Sequence, residues 1–198
     1  MKRFFYYSLV LIFLMAGCYP DGAEYYEDTD VVYTNYDDKY DFKSKGTYSI
    51  PDKIVKITGE LKDGEDPEYV KEPYNTQMVQ KIKSNMTALG YAETADPANA
   101  DLVLFPAVWT NTTVYYYYDY WCWYYPYYCG WGWGYPSASA YTTGTLLMTL
   151  VADGEEFVQP TNVWTSAANG LMSGYYDINR VNKAIDQAFK QSPYLNTK

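Results

Sequence analysis

The chain has 198 residues, of which 48% are hydrophobic, 20% aromatic and 20% charged, enough apolar material for one packed domain and too much for a disordered one. Its 24 acidic and 15 basic residues leave a formal net charge of −9, so it offers nucleic acid no basic patch on which to release counterions. It contains no histidine, which removes imidazole bases, Ser-His-Asp and Cys-His nucleophiles and the usual zinc or non-haem iron sites.

The first residues, MKRFFYYSLVLIFLMAGC, place Lys2 and Arg3 before an apolar run from Phe4 to Leu14. That run is too short to span a bilayer as a helix, which takes roughly 20 residues, and reads as an export signal over residues 1–17. Met15-Ala16-Gly17-Cys18 resembles the lipobox of bacterial lipoproteins, in which cleavage leaves the cysteine first and its thiol lipidated. The resemblance implies a membrane partner reached through acyl chains on Cys18, and anchorage at the outer membrane on the periplasmic or surface side. Several chains on one cysteine hold far more firmly than one. Losing Lys2 and Arg3 with the leader takes the charge from −9 to −11.

Residues 18–30 form the lipidated N-terminus and an acidic tether without apolar periodicity, able to reach about 40 Å when extended. Asp21, Glu24, Glu27, Asp28 and Asp30 read as solubilising charge, although acids just after the lipidated cysteine also resemble surface-export signals. Residues 31–198 read as one domain. VVYTNYDDKYDF predicts a first strand running into a turn near Asp37-Asp38, and GTYSIPDKIVKITG one or two short strands broken at Pro51. Residues 59–72 are charged, carry Gly59, Gly64 and Pro67, and read as an exposed loop. Tyr74, Met78, Ile82, Met86 and Leu89 then recur at helical spacing between Pro73 and a C-terminal Gly90.

After a turn at 94–101, LVLFPAVW reads as a strand buried on both faces, with Pro106 at a bulge or at a position whose amide needs no partner. TTGTLLMTLVAD predicts a strand with Leu146, Met148 and Leu150 on one face, closed by a turn at Asp153-Gly154. Another strand centres on Val163 and Trp164. Asp177 then N-caps a helix striped by Ile178, Val181, Ile185, Ala188 and Phe189. Strands, helix, strands, helix without βα alternation predict an α+β fold: a mostly antiparallel sheet of four to six strands with two helices packed on one face.

The order of these signals resembles a known family. A lipobox, then Tyr36-Asp37-Asp38 and Asp41-Phe42, Leu89-Gly90-Tyr91, Ala100-Asp101-Leu102-Val103, a Gly and aromatic tract, Gly144-Thr145-Leu146 and Val163-Trp164 is similar to the lipoproteins catalogued as domain of unknown function 4136. The resemblance implies an envelope lipoprotein with an α+β domain and brings no catalytic residues. The loop at 59–72, Cys122 and Cys129 depart from the pattern.

Within the insert at 111–141, tyrosine and tryptophan dominate from Tyr115 to Tyr135, and Gly130-Trp131-Gly132-Trp133-Gly134-Tyr135 alternates strictly. Three readings stand: rings packed over the open face of the sheet, a binding platform for sugar rings or a partner protein, or a belt at headgroup level. The platform would use Trp121, Trp123, Trp131, Trp133 and Tyr135. Cys122 and Cys129 close a short loop in an oxidising compartment and read as a disulfide, because the spacing fits no redox pair and two cysteines fit no zinc site. The acid pairs Asp37-Asp38, Glu65-Asp66 and Glu155-Glu156 sit among turn signals and read as solvated charge. No Walker A or dinucleotide motif occurs, and no cofactor or metal is expected. The function that follows is non-enzymatic: a lipid-anchored envelope protein offering an aromatic surface. The alternatives are a carbohydrate-binding module and a hydrolase with unrecognised carboxylates.

Overall fold

The computed structural model describes residues 30–62, 64–109, 117–125, 144–152, 161–171 and 177–198. The apolar stretch LVLFPAVW forms strand β6 (Leu102–Trp109), every residue of which is buried. Side chains alternate across a strand, so a wholly apolar strand needs cover on both faces. Leu102, Leu104 and Val108 enter one core, and Val103, Phe105, Ala107 and Trp109 enter another on the opposite face.

Around β6 the strands β1 (Val31–Tyr36), β2 (Thr47–Ser49), β3 (Val55–Ile57), β4 (Glu68–Tyr69), β5 (Ala92–Glu93), β7 (Thr145–Ala152) and β8 (Thr161–Asn169) complete one mixed, mostly antiparallel sheet. On one side of β6 the order is β7, β8, β1, all antiparallel. Its other side is shared. β2 runs parallel to the first half, through Tyr48↔Leu102 and Ser49↔Val103, and β3 runs parallel to the second, through Val55↔Ala107 to Ile57↔Trp109. β5 lies outside β2, and β4 outside β3. Pro106 falls in the interval that neither β2 nor β3 pairs.

Helix α1 (Tyr74–Leu89) starts behind Pro73, buries Met78, Val79, Ile82 and Met86, and stops at Gly90, whose φ of 105° suits glycine. Helix α3 (Ile178–Lys190) is capped by Asp177, which accepts from the Asn179 amide, and buries Val181, Ala184, Ile185, Ala188 and Phe189. Both helices cover the same face, where Trp164 stacks on Phe189 at 5.5 Å. Lys81 of α1 and Asp186 of α3 meet at 2.9 Å across their solvent side.

Three expectations are corrected. The described residues hold eight strands rather than four to six, because β4 and β5 are two residues each and too short to show an alternation. Residues 59–72 are not wholly an exposed loop: Glu68–Tyr69 pairs with β3, and the Val70 amide donates to the Ile54 carbonyl at 2.9 Å. Among the described residues the helices number three, not two, and they do not share one face. Tyr117–Tyr124 forms α2 within the aromatic insert and packs Tyr120 and Trp121 onto the second core. Aromatic residues carry no helical preference to read in advance; burial against the sheet decides their conformation.

The leader, Cys18 and the tether up to residue 29 lie outside the described residues, as does the turn expected at Asp153-Gly154. Asp30 is not free solubilising charge. It forms a bidentate ion pair with Arg180 of α3, whose guanidinium also donates to the Gly170 carbonyl at 3.0 Å.

Candidate functional site

The shared edge of β6 sets up the site. Because β2 pairs only as far as Ser49 and β3 begins only at Val55, residues 50–54 must leave the sheet and return. The buried side chain of Asn75, in the first turn of α1, holds that excursion. Its Oδ1 accepts from the Ile54 amide at 2.8 Å, and its Nδ2 donates to the Asp52 carbonyl at 2.9 Å. On the opposite face, the end of α2 fills the interval left open on β6, and the Tyr125 hydroxyl donates over a long 3.5 Å to the Leu104 carbonyl.

Between these parts lies a cleft of about 490 Å³, within the range of small-ligand sites. Residues 49–53 form its floor and one rim, Tyr69 of β4 forms a side, Ala95 and Pro97 another, and Tyr124 with Tyr125 the aromatic wall. Trp123 stands beside it, 39% exposed, with its ring edge-on to Tyr69 at 6.4 Å between centroids.

The polar groups of the cleft are unequal. Burial, then the neighbouring Tyr69 phenol and the Asp52 carboxylate, push the Tyr124 hydroxyl up to about 12 against a weaker pull from the Lys53 amide. Tyr124 is therefore a neutral phenol at any ordinary pH, able to donate one hydrogen bond. Asp52 lines the cleft and lies 3.4 Å from Lys83, which is 2.7 Å from Glu93. Lys53 differs. Its ammonium lies 5.0 Å from the centroid of Tyr69, and among the described residues no carboxylate comes within ion-pair distance. Glu72, whose carboxyl is held below the usual range chiefly by the Thr76 hydroxyl and the Asn75 amide, feels Lys53 only as the last of several influences.

Of the residues expected to form a platform, Trp121 is fully buried and meets Phe105, so it is a core residue and not a stacking surface. Trp123, two positions on, faces outward. Trp131, Trp133, Tyr135 and Cys129 lie outside the described residues; Cys122 is half-buried on α2 against the second core. Asp38, Glu65 and Asp66 are exposed, Asp37 is half-buried with its amide donating to the Val163 carbonyl at 2.9 Å, and Glu155-Glu156 lies outside the described residues. Among the described residues no three acidic or sulfur ligands converge as a metal set would. Sequence reasoning missed Lys53, Tyr69, Tyr124 and Tyr125. They come from a loop, a two-residue strand and a helix end, with no common spacing.

The family model for the domain of unknown function DUF4136 matches residues 32–194. The chain belongs to the DUF4136 family. Among solved structures, a DUF4136 family protein from Bacteroides thetaiotaomicron is 34% identical, with a TM-score of 0.64, and the match covers 85% of this chain and 98% of that one. A PelC dodecamer from Paraburkholderia phytofirmans is 14% identical, with a TM-score of 0.39, covering 85% of this chain and 99% of that one. A PDZ domain protein from Parabacteroides distasonis is 14% identical, with a TM-score of 0.38, and the match spans 84% of this chain but 35% of that one. No curated protein matches. The DUF4136 match runs from within β1 to Tyr194, so it takes in β2 to β8, the three helices of the described residues and the cleft.

Proposed function

We propose that this DUF4136 protein is a non-enzymatic envelope lipoprotein, held at the outer membrane by acyl chains on Cys18, which presents the aromatic cleft beside Trp123 to another envelope component. The observation that carries the reading is the exposed Trp123 set against Tyr69, which with Tyr124 and Tyr125 lines a cleft of about 490 Å³. Large aromatic rings at an open cleft supply rigid contact area at little entropic cost. Placement agrees with this use. The N-terminal segment joins the sheet at β1, and the cleft lies beyond β3, four strand spacings or roughly 19 Å away. An anchor at one edge leaves the other clear of the bilayer.

The Cys122–Cys129 bridge belongs to the same reading; its support is the short spacing of the two cysteines in a chain read as exported to an oxidising compartment.

Two measurements test the proposal. Labelled palmitate enters the wild-type chain and not Cys18→Ser, and the label fractionates with the outer membrane. In crosslinked envelopes, Trp123→Ala and Tyr69→Ala lose the adducts that the wild type forms, Trp123→Ala while keeping the wild-type melting temperature. Palmitate-independent fractionation sinks the anchor; adducts indifferent to both substitutions sink the cleft.

A further inference from the structure

We infer that the cleft takes an acidic saccharide, a sugar ring carrying a carboxylate, and this rests on the binding reading of the cleft given above. Several lysines of the described residues meet no carboxylate within ion-pair distance, and Lys53 is the one of them that lines the cleft. Asp52 is drawn to Lys83, which Glu93 also holds, while Lys53 is left against the face of Tyr69. A cation over an aromatic ring is attracted to the ring face and keeps its N–H groups free to donate.

Around that cation the neutral groups suit a sugar. The Tyr124 phenol is kept protonated and can donate to a ring or hydroxyl oxygen, and Ser49 lines the floor. Tyr69, Tyr124 and Tyr125 line the cleft with aromatic surface for the C–H side of a pyranose, and Trp123 stands against Tyr69 beside it. A peptide carboxylate would use Lys53 but leave the aromatic wall and the phenol donor idle. A neutral sugar would use the wall but leave the ammonium unpaired. One ligand class engages all of them: a ring with an apolar face, hydroxyls and one negative charge. Because the whole chain is acidic, long-range attraction cannot supply the affinity, and the contact with Lys53 must be local.

The test is calorimetric titration of the full-length chain in detergent with two matched pairs, tetragalacturonate against maltotetraose and sialyllactose against lactose. At least one acidic member binds saturably, at least tenfold more tightly than its neutral partner, and weakens as salt rises. Lys53→Met loses that tenfold preference, Lys53→Arg keeps it, and Trp123→Ala weakens acidic and neutral members alike. Lys53 is exposed, so melting curves of the variants should superimpose on the wild type. Saturable binding of neither acidic probe, or equal binding by Lys53→Met, overturns the inference. If the acidic probes fail while the envelope adducts still depend on Trp123, the ligand class is wrong and the cleft stands. If both fail together, the proposed function falls with it.

Discussion

Phe105 of β6 and Trp121 of α2 meet edge to face, with ring centroids 5.2 Å apart and planes at 79°. This is the geometry that ring quadrupoles favour, and it fastens the short aromatic helix to the middle of the sheet. Trp121 is fully buried and Trp123 is 39% exposed, so two tryptophans in one helix have different tasks. Trp121→Ala should cost about 3–5 kcal/mol by urea unfolding, the range for emptying a large aromatic site. Trp123→Ala should stay within about 0.5 kcal/mol of wild type. Equal losses would mean that Trp123 is also a packing residue.

The Asp30–Arg180 pair joins the start of the domain to its last helix. Arg180 is 5% exposed and Asp30 13%, so both charges are largely removed from water. Arg180→Met removes the guanidinium from the carboxylate and from the Gly170 carbonyl and should destabilise by about 3 kcal/mol. Adding Asp30→Asn should recover part of that loss, because the stranded charge is removed. A double-mutant cycle in urea measures the coupling, and a value near zero would show that the pair does not bear on stability.

Asp101 ties the end of the 94–101 turn to the start of β2. Burial opposes its ionisation, but its Oδ2 accepts from the Gly46 amide at 2.9 Å, the Thr47 amide at 2.8 Å and the Thr47 hydroxyl at 2.7 Å. The hydrogen bonds prevail, and the carboxyl titrates below its usual range. A pKa depressed by folding gives stability that is complete above the unfolded value of about 3.9 and drains away as pH falls through the folded value. Asp101→Asn should therefore be less stable than wild type at neutral pH, and the gap should close below about pH 4. Melting temperatures of both proteins from neutral pH to about pH 3 decide it; a gap that widens in acid would refute the assignment.

Gly90 ends α1 at φ 105°, and a methyl group there would run into the Thr197 hydroxyl near the C-terminus. Gly90→Ala should lose at least about 1 kcal/mol, since it combines backbone strain with collision. Deleting Thr197 and Lys198 as well should relieve the collision and leave the strain. Thermal melts of the single and combined variants separate the two parts.

Local patterns were legible in the sequence alone. Burial writes itself into adjacent residues, so the unbroken apolar run of β6, the alternation of Leu146, Met148 and Leu150, the stripes of α1 and α3, and the caps at Gly90 and Asp177 all foretold their elements. The family order of short motifs was legible for the same reason. What tertiary structure alone decided lies between segments. A two-residue strand has no period to read, and an aromatic octapeptide becomes helix α2 only because Phe105 and its neighbours need cover on that face. Asp30 and Arg180 are 150 positions apart, and nothing near either one names the other. The cleft exists because β2 and β3 share one edge of β6 and part between Ser49 and Val55, a matter of strand register that brings Lys53, Tyr69 and Tyr124 together from three unrelated stretches of chain.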